Sequence, residues 1–134
     1  LGFLVGIGAP LGGLASSVAS SPYHTLVLGS RDEDMALAYN RMVGLGGGLV
    51  AVQQGRIVAE LPLPVGGFIS DAPLPAVAEG IARINGWARD LGSPVDDLFL
   101  VQRYFTYTGV PFFRLTPWGI YDVKEHVFLP SAID

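Results

Sequence analysis

The sequence predicts an α+β fold, with a mixed or antiparallel sheet of about six strands and two main helices. Three observations carry this reading. Short apolar runs bounded by Gly and Pro recur along the chain, and apolar residues spaced by three and four occur in only two stretches. Two β-rich runs also flank the short turn Gln53-Gln54-Gly55-Arg56, the signature of a hairpin.

Residues 1–28 alternate apolar runs with glycines: Phe3-Leu4-Val5, Gly6 to Gly13, Leu14 to Ala19, and Thr25 to Leu28. Runs of that length suit buried strands better than helices, so at least two strands are expected here. At Ser30 the pattern changes. Ser30 with Glu33 three residues later forms a capping box, and Met35, Ala38, Tyr39, Met42 and Leu45 then mark one helix face that Gly46 terminates. Leu49 to Val52 and Ile57 to Leu61 form the hairpin, closed by Pro62 and Pro64.

Ser70 or Asp71 is expected to cap a second helix that runs through Pro75, with Val77, Ile81, Ile84, Ala88 and Leu91 on one face and Gly92 past its end. Gly80 and Gly86 each cost this helix about 1 kcal/mol relative to Ala, so tertiary packing must hold it. Leu98 to Phe105, Val110 to Leu115 and Ile120 to Val123 read as further strands, separated by Gly109, Pro111 and Pro117-Trp118-Gly119. With no interior linker or repeat, residues 1–134 are expected to form a single domain.

The composition excludes several function classes. Half of the 134 residues are hydrophobic and 15% are charged, so collapse is favoured and disorder is excluded. A chain of this size buries roughly two-thirds of the surface it exposes when unfolded, enough for a core without staples. The absence of Cys removes disulfide scaffolds, thiol nucleophiles and thiolate metal sites, and it is compatible with a reducing, cytoplasmic location. A net charge of −4, with the arginines scattered, argues against a nucleic-acid partner, because phosphate binding needs a concentrated basic face.

Residues 1–30 contain no Asp, Glu, Lys or Arg. A membrane span would need roughly 20 apolar residues in a row, and Gly2, Gly6, Gly8, Gly12, Gly13 and Pro10 break such a helix into pieces. No basic segment precedes the apolar run, as a signal peptide requires. The favoured reading is a piece of a longer chain whose apolar start is buried against another part of it.

Candidate chemistry is sparse. Gly6-Ile7-Gly8-Ala9-Pro10-Leu11-Gly12 has the wrong spacing for a dinucleotide loop, and Gly46-Gly47-Gly48 lacks the Lys and hydroxyl of a phosphate loop. Asp32, Glu33 and Asp34 are read as first-turn acids favoured by the helix dipole, and Asp96-Asp97 as a solvated loop. His24 and His126 are the only two histidines, too few for a hydrolytic metal site without Cys. Ser16-Ser17 and Ser20-Ser21 lie near His24 in sequence, but no Gly-x-Ser-x-Gly elbow accompanies them, and His24 reads as a hydrogen-bonded strand residue.

One resemblance organises these observations. Gly13-Leu14-Ala15-Ser16-Ser17-Val18-Ala19, His24, the stretch from Val27 through Arg41 with its Asp32-Glu33-Asp34-Met35-Ala36-Leu37-Ala38 core, and Gly46 to Val50 resemble the C-terminal domain of bacterial adenine deaminases. So do Leu61-Pro62-Leu63-Pro64 through Asp71, and the tail Leu115 to Val123. Two segments depart from that family's pattern. Where the family carries His-Asp-Ser-His-Asn, this chain has Ser20-Ser21-Pro22-Tyr23-His24-Thr25, keeping the second His. Where it carries Ala-Gly-Leu-Met-Ser-Asp, this chain has Gly66-Gly67-Phe68-Ile69-Ser70-Asp71.

The resemblance implies a metal-dependent hydrolase of the amidohydrolase type that converts adenine and water to hypoxanthine and ammonia. Its catalytic groups and a manganese or iron ion would lie in a preceding (β/α)₈ barrel, with no catalytic residue, metal ligand or cofactor in this segment. The implied partners are that barrel, further copies in a homo-oligomer, and a purine or related small molecule, with no nucleic acid and no membrane. His24, Ser16, Ser17, Ser70 and Asp71 are the candidate substrate- or barrel-facing residues, and the uncharged first thirty residues are the expected barrel contact. The alternative is a non-catalytic assembly or small-ligand-binding module degenerate from the same family.

Overall fold

The computed structural model describes residues 2–19 and 24–130. Among them the chain runs through β1 (Gly13–Ser16), β2 (Leu26–Gly29), α1 (Asp32–Gly44), β3 (Gly48–Gln53), β4 (Arg56–Pro62) and α2 (Leu74–Asp90). It continues through α3 (Leu98–Tyr104), β5 (Phe113–Thr116), β6 (Gly119–Asp122) and β7 (Val127–Phe128). The class is α+β, with two sheets that are both antiparallel: a four-stranded sheet in the order β2-β1-β3-β4 and a three-stranded sheet in the order β5-β6-β7.

The continuous apolar run of β3 follows from where the strand lies. Leu49 and Ala51 join a cluster with Leu14, Leu61, Ile84, Ala88 and Leu98, while Val50 and Val52 join Ala15, Ala38 and Met42. Helix α1 therefore covers one face of the sheet, and α2 with α3 covers the other. A strand buried on both faces has no reason to alternate apolar with polar.

The helices pack as the spacing predicts, with corrections at their starts. On α1 the buried positions are Asp34, Ala38 and Met42, and Tyr39 is 41% exposed. The expected capping box does not form. Ser30 donates its hydroxyl to the Leu11 carbonyl at 2.8 Å, so Arg31 occupies the N-cap position without a side-chain hydrogen bond. At α2 neither Ser70 nor Asp71 caps: Pro73 is the N-cap, and the Ser70 hydroxyl accepts from the Ala72 N–H at 3.1 Å. Pro75 in the first turn has no N–H, which lowers the demand for a cap. Gly80 is buried where an added Cβ would come within 3.0 Å of Leu61, which accounts for a glycine in mid-helix.

Both long helices end alike. Gly46 (φ 77) donates to the Val43 carbonyl and Gly47 to the Met42 carbonyl. Gly92 (φ 93) donates to Arg89 and Ser93 to Ala88. This paired pattern needs a left-handed residue just past the helix, a conformation that glycine adopts without steric cost.

The C-terminal third differs most from the sequence reading. Leu98 to Phe105, expected as a strand, is helix α3 through Tyr104. The Asp97 carboxylate accepts from the Leu100 N–H at 3.0 Å and from the Asn85 side chain at 3.1 Å. Asp97 thus caps the helix and ties it to α2, which corrects its reading as a solvated loop residue. The expected strand from Val110 begins only at Phe113, a short β7 is added, and Phe3-Leu4-Val5 is outside any strand, with Phe3 94% and Val5 93% exposed. No helix among the described residues is long and apolar enough to cross a membrane.

Candidate functional site

The antiparallel register sets the geometry of one end of the four-stranded sheet. Ser16 pairs with both Leu26 and Leu49, so the end of β1, the start of β2 and the start of β3 share an edge. Gly48 pairs with Pro62, which adds the end of β4 and the loop that follows. Ser16, Ser17, His24 and Gly47-Gly48 gather there by chain topology.

Ser17 is the joint of this end. Its hydroxyl accepts from the buried Gly48 N–H at 2.7 Å and donates to the Gly67 carbonyl, 50 residues away. The Ser17 N–H also donates to the Gly48 carbonyl at 3.0 Å. The strand edge and the loop 63–70 are thereby held to one side chain. Space is tight as well: a Cβ on Gly47 would collide with the backbone of Gly67, and one on Gly48 with the carbonyl of Leu61. Ser16 is 1% exposed, and its hydroxyl accepts from the Val18 N–H at 3.1 Å. The hydroxyls of both serines bond to backbone groups of this end of the sheet.

The remaining candidates are divided between two grooves that share no lining residue. Ser70 lines a groove of about 480 Å³ with Leu63, Phe68, Ile69, Leu74 and Arg103, and Asp71 is exposed beside it. His24 lines a larger groove of about 780 Å³, where β2 faces the N-terminal segment and the second sheet through Leu4, Ile7, Leu26, Phe105 and Ile120. Ser20 and Ser21 lie outside the described residues. Among the described residues no group of three metal-ligating side chains converges.

The opposite end of the sheet holds a residue that the sequence reading assigned only to the helix dipole. Asp34 is 1% exposed, and its two carboxylate oxygens accept from the N–H groups of Gln54 and Gly55 at 2.9 and 2.7 Å. Those two residues form the β3–β4 turn with φ of 52° and 74°, the geometry of a two-residue hairpin loop. Arg31 approaches the same carboxylate at 3.5 Å. A signal for this role was present: Asp34 shares the i, i+4, i+8 stripe of Ala38 and Met42, so its side chain must point inward. Further along α1, Arg41 grips Glu60 of β4 with two hydrogen bonds of 2.9 and 3.0 Å, and that contact holds the Glu60 carboxyl below its ordinary range.

Fold and site together describe an α+β unit whose polar groups are largely committed to holding strands, turns and loops. The sequence matches the family model for the adenine deaminase C-terminal domain over residues 1–127, and the chain belongs to that family. It is 36% identical over 133 residues to an adenine deaminase of Kosmotoga olearia, covering 99% of this chain and 23% of that protein. Adenine deaminases of Clostridium botulinum and Brucella abortus are each 35% identical, covering 99% and 96% of this chain and 22% of their own length. The chain thus spans less than a quarter of the curated relatives it matches.

Proposed function

We propose that this chain is the C-terminal domain of a cytoplasmic, adenine deaminase-type hydrolase, and that it packs on a preceding catalytic barrel and helps to close it. In this reading the parent converts adenine and water to hypoxanthine and ammonia. The family match across residues 1–127 carries the proposal. The committed hydroxyls of Ser16 and Ser17 support it, since they leave the hydrolytic groups to be supplied elsewhere. The metal, manganese or iron by the resemblance, would belong to the barrel, and no chemical step is assigned to residues of this chain. The His24 groove and the uncharged N-terminal segment are the proposed facing surface, because they combine an imidazole with two strongly exposed apolar side chains of that segment, Phe3 and Val5.

The test is ammonia release from adenine by the full-length parent with Mn²⁺ or Fe²⁺, beside the His24→Ala variant. Wild type is expected to turn adenine over, and the variant to retain its full metal content while its adenine KM rises. Loss of metal in the variant would place His24 among the ligands and overturn the assignment. Absence of turnover on adenine and on other amino-purines would favour the non-catalytic module instead.

A further inference from the structure

The groove beside Ser70 carries a feature that the proposed function does not use. Its floor and walls are apolar, formed by Val18, Leu61, Leu63 and the side chains of α2 and α3, and its volume is about 480 Å³. Its rim stays open to solvent, with Phe68 55%, Ile69 52% and Leu74 79% exposed. Arg103 belongs to this lining, and its Nε is buried without a hydrogen-bond partner. Among the described residues Arg56, Arg83 and Arg89, like Arg103, form no ion pair with a carboxylate, but Arg103 is the one arginine with a buried nitrogen that lacks a hydrogen-bond partner.

A guanidinium held against apolar surface loses hydration, and a charged acceptor restores it more strongly than a neutral carbonyl. A planar fork of donors fits a carboxylate in two-point contact. The ligand that suits this groove best therefore combines an anionic oxygen pair with apolar bulk that fills the rest of it. Relatives carry 77% of their length outside the segment that corresponds to this chain, since the match covers 23% of the Kosmotoga olearia protein. That remainder is the nearest source of such a ligand.

We infer that this groove seats an apolar segment of the preceding part of the parent chain, whose Asp or Glu side chain pairs with Arg103. The inference rests on the reading that the domain packs against the rest of its parent. It adds a second contact, remote in its lining from the His24 groove, and names the chemistry that recognises it. Ser17 takes part indirectly, because its bond to Gly67 fixes the loop that presents Phe68 and Ile69.

Because residues 1–134 contain no Cys, a cysteine introduced among them is the one thiol on its peptide and reports local burial there. In the full-length parent, Leu74→Cys, Phe3→Cys and, as an open control on the hairpin, Arg56→Cys are labelled with a bulky maleimide, and the modified peptides are identified by mass spectrometry. Leu74→Cys is expected to react about tenfold more slowly than Arg56→Cys. Arg103→Glu is expected to abolish that protection, and Arg103→Lys to keep much of it. Leu74→Cys as reactive as Arg56→Cys overturns the inference; if Phe3→Cys is then protected, the packing proposal survives alone. Free reaction at both positions removes both. Protection that disappears on dilution to the monomer assigns the groove to a second copy and also overturns the inference.

Discussion

The two sheets treat their apolar side chains in opposite ways. In β3, Leu49, Val50, Ala51 and Val52 are each 0% exposed, because helices cover both faces. In the β5–β7 sheet no residue is buried: Phe113 and Phe128 are 55% and 52% exposed, and Trp118 in the β5–β6 turn is 75% exposed. One composition thus supplies a closed core in one region and an open apolar face in the other. Stability should therefore reside in the four-stranded sheet and its ties, while the three-stranded sheet answers to whatever it meets. Substitutions that separate these two behaviours are the way to test the contrast.

The largest effect is expected at Asp34, the buried tie between α1 and the β3–β4 turn. Asp34→Ala removes a charged acceptor from two N–H groups and should cost about 2–3 kcal/mol, read as a lower urea midpoint at unchanged slope. A cost below about 0.5 kcal/mol would mean that the turn holds its left-handed residues unaided. Ser17→Ala comes next, at about 1–2 kcal/mol, because the Gly48 N–H is left buried without its acceptor. Amide exchange in the loop 65–70 should also accelerate, since the bond to Gly67 is lost. Slow exchange there in the variant would show that the Val65–Ile69 bridge suffices.

These ties explain how far the sequence could be read. The hairpin, the first two helices and their buried faces are local patterns, visible as apolar runs, spacings of three and four, and terminal glycines. Helix α3 was not visible, because Leu98-Phe99-Leu100-Val101 is as apolar and β-prone as a strand. What makes it helical is Asp97 at its start and Asn85 on another helix, a tertiary contact that overrides local preference. The candidate site was legible only as a list of residues. Ser17 stood out by resemblance, but its partner Gly67 lies 50 residues on, and spacing cannot show that a hydroxyl will be used as a joint. Arg103 escaped notice because the burial of its Nε without a partner is a property of the packed chain.

A smaller effect is expected at Glu60. The hydrogen bond from Arg41 holds its carboxyl below the ordinary 4.5, so it is deprotonated to lower pH in the folded chain than in the unfolded one. The stabilisation is therefore complete above about pH 4.5 and is lost as pH falls through the lowered value. Both side chains are partly exposed, at 41% and 33%, so solvent screens the pair and keeps its contribution small. Wild type should exceed Glu60→Gln in stability at neutral pH, and the difference should shrink as pH falls below 4.5 through the lowered value. A difference that stays constant across that range would mean that Glu60 acts through packing.

Trp118 gives the smallest expected effect and bears most directly on the contrast. The residue is 75% exposed, and its backbone N–H donates to the Thr116 hydroxyl, a bond that the side chain does not make. Trp118→Ser should change the unfolding free energy of the 134-residue chain by no more than about 0.5 kcal/mol, with β5 and β6 keeping their register. If the open face is covered in the parent, the same substitution should lower the parent's stability by more than that, because there it removes buried aromatic area. Equal and small effects in both would show that the three-stranded sheet is a solvated surface. A loss above about 1 kcal/mol in the 134-residue chain would mean that Trp118 packs on its own sheet, and the opposition between the two sheets would then fail at its most exposed residue.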